Sequence, residues 1–295
     1  MDGIINVYKN KGMTSFDVVR KIKKIAKQKK VGHTGTLDPE ATGVLPVCLG
    51  KATKIIDYIM NDDKSYYVEF KLGVITTTYD LEGEVIEEKD ISSLNEKLVE
   101  KAINTFIGEY EQVPPMYSAL KKDGVRLYEL ARKGIEIERE GRLVNIIDIK
   151  NININLPYVS MDVTCSKGTY IRSLCYDIGN KLGVGATVTV LSRTQTSCFY
   201  AEDSINIEEL NEDNINENLI SIEKALDKYP RLNVNERFAK LLINGVKVAD
   251  KRVNNSTIEM NKLYVVYQED NSLIGLGKKY IDGFKIEKLL KWFGV

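Results

Sequence analysis

The segment GHTGTLDPEATG, residues 32–43, combines three glycines, three threonines and a proline with the only histidine of the chain, His33, and an aspartate, Asp38. A carboxylate with a reference pKa of ~3.9 is ionised at neutral pH and can serve as a nucleophile or a base. Pro39 pushes the Asp38 backbone away from the helical region and stiffens the loop. Because Asp-Pro pairs also begin turns, the residues alone leave open whether Asp38 is an active-site group or a turn cap.

Two other segments carry side chains that could work with such a carboxylate. SKGTYIRS places Tyr170 and Arg172 at the start of a predicted helix, and an arginine can pair bidentately with a carboxylate. DDKSYYVEF places Tyr66 at the start of a predicted strand. A surface salt bridge for Arg172 and a core position for Tyr66 are the alternatives, and the residues alone do not choose between them.

Several missing motifs exclude other kinds of site. The chain has no GxSxG nucleophile elbow, no Walker loop and no GxGxxG motif after a strand, so neither a serine hydrolase nor a nucleotide cofactor is indicated. One histidine and no CxxC pair argue against a zinc site of the usual spacing. We therefore expect no metal and no cofactor. The four cysteines are predicted to be reduced, mostly buried thiols: Cys48, Cys165, Cys175 and Cys198.

Length and composition indicate a globular protein of about two domains. The 295 residues are 43% hydrophobic and 28% charged, and no apolar run approaches the ~18 residues that cross a bilayer. The first residues, MDGIINVYKNKG, lack the basic and apolar regions of a signal peptide. The expected location is the cytoplasm, without a membrane partner.

Charge is unevenly distributed although the formal net charge is zero. Residues 1–60 contain 11 Lys/Arg and 5 Asp/Glu, whereas residues 201–230 contain 9 Asp/Glu and 2 Lys. The basic segment, which includes RKIKKIAKQKK, could contact nucleic-acid phosphates. A solvated helix face gives the same pattern, and charge alone leaves both interpretations open.

The predicted elements alternate irregularly, with hairpin-like strand pairs between helices, which favours an α+β fold with a mixed or antiparallel sheet. The first helix follows a strand and has Thr14 or Ser15 as its N-cap. The acidic, Asn-rich residues 202–222 indicate a surface helix or a connector. After Pro230, alternating strands predict a small β-rich second domain at about 231–295.

Four segments occur together and in order in one known family. GHTGTLDPEATGVLPVCLGKATK, DKSYYVEFKLG, PPMYSALKKDGVRLYELARKG and CSKGTYIRSLCYDIGNKLG closely resemble bacterial tRNA pseudouridine synthase B, the family that isomerises the T-loop uridine of tRNA. The resemblance covers about residues 3–200. It implies an α+β catalytic core at 1–228, with a central mixed or antiparallel sheet flanked by helices and loops. It also implies a small C-terminal β-rich, PUA-like RNA-binding domain at 229–295.

The resemblance also assigns roles to residues of this sequence. It makes Asp38 the catalytic aspartate, Tyr66 the active-site tyrosine and Arg172 the partner of the aspartate. Residues 111–134 would form a mobile loop-helix that grips the T-arm. The remaining residues that the resemblance and the basic loop assign to RNA binding are His33, Tyr170, Lys9, Gly32, Thr34, Lys121, Lys122, Arg126 and Arg132. The implied partner is tRNA, with no obligate protein partner.

Two positions depart from the family pattern. Asn10 stands in YKNKG where proline is usual, and Thr77 stands in TTTYD where an aspartate is common. The resemblance leaves the catalytic route open. Asp38 could attack the ribose or the base, stabilise positive charge at C1′, or help to remove a proton from C2′.

Two alternative functions are consistent with the same residues. One is a non-catalytic tRNA-binding or folding module, against which Asp38, Tyr66 and Arg172 argue. The other is a carboxylate-dependent nucleoside or glycoside hydrolase, which would need a second carboxylate facing Asp38. The sequence shows no such partner within a motif.

Overall fold

The computed structural model describes residues 1–249 and 257–291. Residues 250–256 and 292–295 of the predicted second domain lie outside the described residues. The strands are β1 Gly3–Lys9, β2 Val31–His33, β3 Thr42–Leu49, β4 Lys64–Leu72, β5 Val74–Thr76, β6 Val85–Glu88, β7 Gly108–Gln112, β8 Lys121–Lys122, β9 Val125–Arg126, β10 Arg142–Asn155, β11 Tyr158–Cys165, β12 Ala186–Thr196, β13 Phe199–Tyr200, β14 Ile205–Asn206, β15 Leu219–Ile220, β16 Arg231–Val234, β17 Leu263–Gln268, β18 Leu273–Tyr280 and β19 Gly283–Leu289. The helices are α1 Ser15–Ile25, α2 Ile56–Met60, α3 Glu96–Asn104, α4 Leu127–Ala131, α5 Ile171–Lys181, α6 Ile222–Ala225 and α7 Glu236–Ile243, with a 3-10 helix at Gly50–Ile55.

One mixed sheet of eleven strands forms the centre of the molecule, which confirms the predicted α+β class. Its main path runs β14-β1-β3-β12-β4-β11-β10-β7. The pairs β1/β14 and β3/β12 are parallel and the others along this path are antiparallel. The central strand β12 lies between β3 and β4, so it connects the end of the glycine-rich loop to the strand that carries Tyr66. None of the described helices is long and apolar enough to cross a membrane.

Helices α1 and α5 pack on this sheet because each has a continuous apolar face. In α1 the buried side chains include Val18, Val19 and Ile22, at helical spacing. Thr14 is the N-cap, and its side chain and that of Asp17 form a reciprocal capping box. The cap therefore fixes where the chain leaves β1 and begins the helix.

The acidic segment predicted at 202–222 is a connector, so the surface-helix alternative is wrong. It consists of turns with the short strands β14 and β15, which pair with β1. Glu208 accepts from Lys21 at 2.6 Å, and Glu212 pairs with Lys27. Exposed pairs of this kind contribute only ~0–1 kcal/mol each. They nevertheless neutralise part of the basic α1 face internally, which weakens the prediction that this face binds phosphates.

A second sheet, β16-β17-β18-β19, begins at Arg231 and is covered on one side by α7. Its other apolar side chains join a hydrophobic cluster with the first unit, where Leu276 and Leu290 pack with Ile59 and Leu226. The two sheets therefore share a packed interface, and the domain boundary between 228 and 229 stays a prediction.

Candidate active site

The buried side chain of Lys9 holds the glycine-rich loop between β2 and β3 in place. The Lys9 ammonium donates to the carbonyls of Met13 at 2.8 Å, Pro39 at 3.0 Å and Asn10 at 3.0 Å. Burial lowers the pKa of Lys9 to about 8, although the nearby Asp38 carboxylate opposes this shift. Because its side chain is fully buried and all three donors are used, the prediction that Lys9 contacts RNA is wrong: the side chain positions the loop.

Thr34 also fixes the loop from inside. Its backbone N–H donates to the Pro46 carbonyl at 3.1 Å and its hydroxyl approaches the same oxygen at 3.3 Å. The side chain is fully buried, so the predicted RNA contact of Thr34 is corrected to an anchoring role. Gly43 closes the loop with a φ of +108°, and a Cβ there would lie 2.2 Å from the Arg193 carbonyl oxygen. Only glycine fits that close approach of β3 to β12.

Asp38 forms an ion pair with Arg172, as expected from the sequence. The Arg172 Nη2 atom lies 3.0 Å from Asp38 Oδ2, and Nη1 lies 3.0 Å from Asp80 Oδ2. Nη1 also donates to the Thr78 carbonyl at 2.9 Å, and Nη2 to the Tyr117 carbonyl at 2.9 Å. One buried guanidinium is thus shared by two carboxylates, of which only Asp38 is substantially open, with 37% of its side chain exposed.

Asp80 is a site residue that the sequence reasoning missed. Its Oδ1 accepts from the Thr78 hydroxyl and from the Glu82 N–H, and its Oδ2 accepts from Arg172. Asp80 is the last residue of TTTYD, the segment in which Thr77 departs from the family pattern, so the carboxylate could have been found there. Thr77 itself is exposed, and its hydroxyl accepts from the Glu84 N–H within the turn between β5 and β6. The departure at that position therefore leaves the Asp38–Arg172–Asp80 arrangement intact.

The surroundings of Asp38 shift the pKa of its carboxyl in two opposite directions. Removal from water raises the pKa of the Asp38 carboxyl above its usual value, while the Arg172 guanidinium favours the ionised form. Asp80 acts in the same direction as burial. The result is a carboxylate that is held in place by Arg172 and only partly exposed to water, which suits a nucleophile or base better than a freely solvated carboxylate does.

Tyr66 lies on β4 directly opposite Arg193 of β12. Burial raises the pKa of Tyr66 to about 12, and a hydrogen bond and the positive charge of Arg193 oppose that shift. The phenol is 8% exposed. Arg193 is the second site residue that the sequence reasoning missed, because an arginine in an otherwise ordinary strand, VTVLSRTQT, carries no motif signal of its own.

His33 ends β2, and its ring is neutral. The Gly35 N–H donates to His33 Nδ1 at 3.2 Å, so Nδ1 is an acceptor and the ring proton belongs on Nε2. Burial lowers the pKa of His33, and the Arg193 charge adds to that effect. A neutral imidazole suits stacking against a base better than pairing with a phosphate. Gly32 precedes it on the same strand, and a Cβ there would lie 2.9 Å from Ile56 Cδ1.

Tyr170 is the N-cap residue of α5 and is held by Gln112, a third residue missed from the sequence. Gln112 Oε1 accepts from the Tyr170 N–H at 2.8 Å, and Nε2 donates to the Tyr170 carbonyl at 3.1 Å. Burial raises the pKa of Tyr170. Because Arg172 follows Tyr170 by two residues, the glutamine clamp also fixes the helix end that carries the arginine.

The predicted loop-helix contains the β8–β9 hairpin followed by α4. Asp123 and Gly124 have φ values of +53° and +84° at the hairpin turn. The four cations predicted to bind RNA are exposed on this element: Lys121, Lys122, Arg126 and Arg132. The guanidinium carbons of Arg126 and Arg132 lie 5.8 Å and 5.5 Å from the ring centre of Tyr128.

A cleft opens above the Asp38–Arg172 pair. Its lining combines the carboxylates and the guanidinium with apolar side chains, and consists of Asp38, Glu40, Ala41, Asp80, Leu81, Arg172, Val188, Thr189 and Leu191. Within residues 1–249 and 257–291, no group of three or more His, Cys, Asp or Glu side chains could hold a metal ion. Three carboxylates line this cleft: Asp38 and Asp80 share Arg172, and Glu40 pairs with Lys11 at 2.8 Å.

Comparison with known proteins connects this arrangement to a family. Residues 23–171 match the N-terminal domain of the TruB family pseudouridylate synthases, and residues 172–229 match the C-terminal domain of tRNA pseudouridylate synthase B. The chain is 60% identical over 291 residues to a tRNA pseudouridine synthase B of Clostridium perfringens strain 13, covering 98% of this chain and 99% of that protein. It is 61% identical over 290 residues to the protein of the same name from Clostridium tetani, covering 98% and 100%.

Among solved structures, a chain in a Cbf5-Nop10-Gar1 complex superposes with a TM-score of 0.76 at 28% identity, covering 98% of this chain and 85% of that chain. A chain in an H/ACA RNP bound to a substrate RNA containing 2′-deoxyuridine gives a TM-score of 0.73 at 26% identity, with 98% and 85% covered. The sequence matches span nearly the whole chain, and the fold agrees with them. The chain therefore belongs to the TruB family of tRNA pseudouridine synthases, which convert uridine to pseudouridine in tRNA.

Proposed function

We propose that this chain isomerises the T-loop uridine of tRNA and that Asp38 acts on the flipped nucleotide. The observation that carries this proposal is the pairing of one open carboxylate with a buried arginine, which is itself held by a second carboxylate. This arrangement orients Asp38 and opposes the rise of its pKa without closing the cleft above it.

The reaction requires rearrangement without net oxidation or reduction. The N1–C1′ bond breaks, the base rotates, C5 joins C1′, the C5 proton is lost and N1 gains a proton. Asp38 can attack the nucleotide, stabilise charge at C1′ or take a proton, and an ionised carboxylate serves each route. Arg172 holds its charge and orientation, and Tyr66 offers a ring for base stacking. None of these steps needs a cofactor.

A T-loop base must leave its stack before it can enter the cleft, at a cost of a few kcal/mol. The neutral His33 ring and the glycine-rich backbone beside it suit the place that the base vacates. We keep Gly32 and Tyr170 as proposed RNA contacts on the same edge. Specificity should come mainly from the shape of the arm, as is usual for folded RNA.

The T-arm would be held by the exposed cations of residues 111–134. Lys121, Lys122, Arg126 and Arg132 are exposed, whereas Lys21 of α1 and Lys27, two residues after α1, are already paired with the acidic connector. Residues 230–295 contain 12 Lys/Arg against 7 Asp/Glu, a local excess of +5 that supports the proposed PUA-like RNA-binding role. A tRNA substrate also agrees with the expected cytoplasmic location.

A hydrolase would need a second carboxylate free to activate water on the other side of the sugar. Asp80 is a second carboxylate near Asp38, but both of its oxygens accept hydrogen bonds from the protein. It is therefore occupied as a partner of Arg172, and the third carboxylate of the cleft, Glu40, is paired with Lys11 at 2.8 Å. This argues for isomerisation over hydrolysis.

The test follows tritium release from unmodified tRNA labelled at uridine C5. The wild-type protein should release tritium while the RNA chain stays intact, and a transcript with cytidine in place of the T-loop uridine should release none above the background of other uridines. Free uracil would indicate hydrolysis instead, and binding without release would indicate a non-catalytic module. A transcript of the T-arm alone separates recognition of the arm from recognition of the whole tRNA.

A further inference from the structure

The turn between β5 and β6 contains a tyrosine in the left-handed backbone region. Tyr79 has a φ of +62°, which glycine and asparagine adopt readily and a bulky residue adopts only with strain. Its N–H donates to the Thr76 carbonyl at 3.3 Å, and its carbonyl accepts from the Val188 N–H of β12 at 2.9 Å. A glycine could form the same backbone bonds without strain, so the tyrosine side chain calls for an explanation.

The ring of Tyr79 stacks on the ring of Tyr176 in α5. The ring centres lie 4.0 Å apart and the ring planes differ by 16°, so the rings are almost parallel. Aromatic pairs in contact stabilise the approach of the two elements that carry them beyond the effect of buried area. Tyr176 follows Arg172 by four residues, so both side chains lie on one face of the helix, one turn apart. The stack therefore joins the turn to the part of α5 that carries the active-site arginine.

The residues on both sides of Tyr79 contact that arginine. The Thr78 carbonyl accepts from Arg172 Nη1 at 2.9 Å, and Asp80 Oδ2 lies 3.0 Å from the same nitrogen. The turn and α5 are thus joined by a polar contact at Arg172 and by an aromatic contact at Tyr176. The polar contact uses a guanidinium that a second carboxylate shares, whereas the aromatic contact does not depend on any charge.

On its other side the turn is attached to β12. Asp80 pairs with Val188 in an isolated parallel bridge, and the Asp80 carbonyl accepts from the Thr76 hydroxyl at 2.7 Å. Val188 also lines the cleft. The turn therefore lies between the strand that borders the cleft and the helix that carries the arginine, and the ring stack is its charge-independent connection to the helix.

We propose, building on the proposed isomerase function, that Tyr79 and Tyr176 are positioning residues that act through Arg172. Their stack sets the Asp80 carboxylate and the Thr78 carbonyl against the guanidinium, which in turn orients the open carboxylate of the cleft. The left-handed backbone belongs to this arrangement, because the ring reaches one turn of α5 while the next side chain reaches another. A misplacement of about 1 Å at a catalytic group can lower a rate by up to ~10²-fold.

Removing either ring separates positioning from simple stabilisation. Tyr79→Gly removes one ring and relaxes the left-handed backbone, so the variant should still fold. Tyr176→Leu removes the other ring and keeps an apolar side chain. Each should lower single-turnover tritium release at saturating tRNA by about 5-fold, with tRNA affinity unchanged. A stack that only stabilises the fold would lower the melting temperature and leave the rate of the folded protein unchanged, and that result would overturn the proposal.

Phenylalanine at either position tests whether the ring is the active part. Tyr79→Phe and Tyr176→Phe keep the stacked rings and remove only a hydroxyl, so each should recover most of the rate that the ring-deleted variants lose. If the phenylalanine variants lose as much rate as Tyr79→Gly and Tyr176→Leu, the hydroxyls and not the stack are responsible. The proposal would then be wrong.

A double-mutant cycle tests whether the stack acts through the carboxylate. In the Asp80→Asn background Tyr176→Leu should have little further effect on the rate, because the ion pair that the stack positions is already gone. The same cycle can be followed by melting temperature, which requires no activity. The fall caused by Tyr176→Leu should be larger in the wild-type background, where loss of the stack also weakens the ion pair. If the wild-type protein releases no tritium, the proposed function fails, whereas equal falls of melting temperature in both backgrounds overturn the positioning proposal on their own.

Asn151→Gly is the matched control, because it makes the same backbone change at another left-handed residue, with a φ of +50°. Asn151 lies on β10, which β11 separates from β4 in the sheet, and its amide donates to Asp162 Oδ2 at 2.7 Å. This variant should keep the wild-type rate. A loss of rate equal to that of Tyr79→Gly would show that relaxing a left-handed residue anywhere slows the reaction, and it would overturn the specific role of the stack.

Discussion

Arg172 and Arg193 are both buried beside the Asp38 pocket, but their surroundings differ in one respect. Arg172 is held by Asp38 and Asp80, whereas Arg193 donates to two backbone carbonyls and meets a phenol. The first arrangement carries a net negative charge and the second a net positive charge. The site therefore places an anion that is open to substrate next to a cation that is not.

The difference shows how one pocket can hold opposite charges without cancelling them. Arg172 shares its charge between two carboxylates, so Asp38 is oriented but not fully neutralised. Arg193 faces only neutral acceptors, and burial lowers the pKa of its guanidinium. We expect the first arginine to control the charge at Asp38 and the second to hold the glycine-rich loop through Gly35 and Val44.

The largest effect should come from the carboxylate itself. Asp38→Asn keeps the shape and removes the negative charge, so it should lower single-turnover tritium release by ~10⁴-fold or more. Affinity for tRNA should change little, since the exposed cations are untouched. A filter-binding titration beside the rate measurement checks both. Near-normal turnover would refute the assignment of Asp38 as the catalytic aspartate. The comparison of Arg172 with Arg193 would then have no bearing on catalysis.

The next effect should come from Arg172. Arg172→Met leaves the buried Asp80 and the partly exposed Asp38 without a counter-ion, and breaking a buried pair such as Arg172–Asp80 costs ~3–5 kcal/mol. The rate should fall by ~10²–10³-fold and the melting temperature should also drop. Adding Asp80→Asn to Arg172→Met removes one unpaired charge, so the double variant should regain stability but not activity. Calorimetry and tritium release on the three proteins test this, and a double variant less stable than Arg172→Met would contradict it.

Asp80→Asn alone should have an intermediate effect. The amide can still accept from the Glu82 N–H, but it no longer balances the guanidinium charge. Arg172 should then pair more strongly with Asp38, and the rate should fall by ~10-fold. Asp80→Asn and Arg172→Lys should be non-additive, because both act on the same interaction. Additive losses would show that Asp80 acts outside the Arg172 pair.

Much of this site could be predicted from the sequence, because several of its residues lie in recognisable motifs. The residues that were missed owe their roles to contacts with parts of the chain that are distant in sequence. Asp38, Tyr66 and Arg172 lie within motifs, and the structure brings Asp38 and Arg172 together at 3.0 Å. Asp80 lies in TTTYD and Gln112 in the predicted loop-helix at 111–134, but their roles depend on contacts with Tyr170 and Arg172, which are distant in sequence. Arg193 has no motif signal, since its position is defined only by the pairing of β12 with β3 and β4.

Lys9 and Thr34 show the opposite error, in which the sequence predicts a functional contact that burial of the side chain prevents. Thr34 stands in the glycine-rich motif and Lys9 in YKNKG, and the family resemblance suggested contact with RNA for both, yet both side chains are fully buried. Sequence gives the residue type and its neighbours along the chain, whereas burial depends on the strands that close over it. The alternating pattern was sufficient for the central sheet, because each strand of that sheet carries its own apolar face.

Exposed cations provide a contrast with the two buried arginines. Replacing Lys121 and Lys122 by Gln should weaken tRNA binding and reduce the slope of log affinity against log salt by ~1–2, since each phosphate contact releases counterions. The rate at saturating tRNA should stay the same, because neither side chain touches the cleft. Lys97→Gln, an exposed lysine on α3, is the matched control and should leave the slope unchanged. A loss of rate at saturation would mean that the loop-helix takes part in the chemistry.

The smallest effect should come from the titration of His33, whose pKa responds to the charge of Arg193. Burial and the Arg193 charge lower the His33 pKa below 6.5, so the ring should stay neutral and tRNA binding should not change with its titration between about pH 7 and 8. Below 6.5 the unfolded chain binds a proton that the folded ring resists, so the free energy of unfolding should fall as pH decreases through this range. Above 6.5 the ring is neutral in both states and contributes no pH dependence.

Because His33 is the only histidine, its ring gives a single set of NMR signals that can be followed directly. Arg193→Gln should raise the His33 pKa, since one of the two causes of the shift is removed. Arg231→Gln should leave it unchanged, since Arg231 belongs to the second sheet. If the histidine titrates identically in the wild type and Arg193→Gln, the charge of Arg193 does not reach the glycine-rich loop, and the contrast with Arg172 is limited to the Tyr66 side.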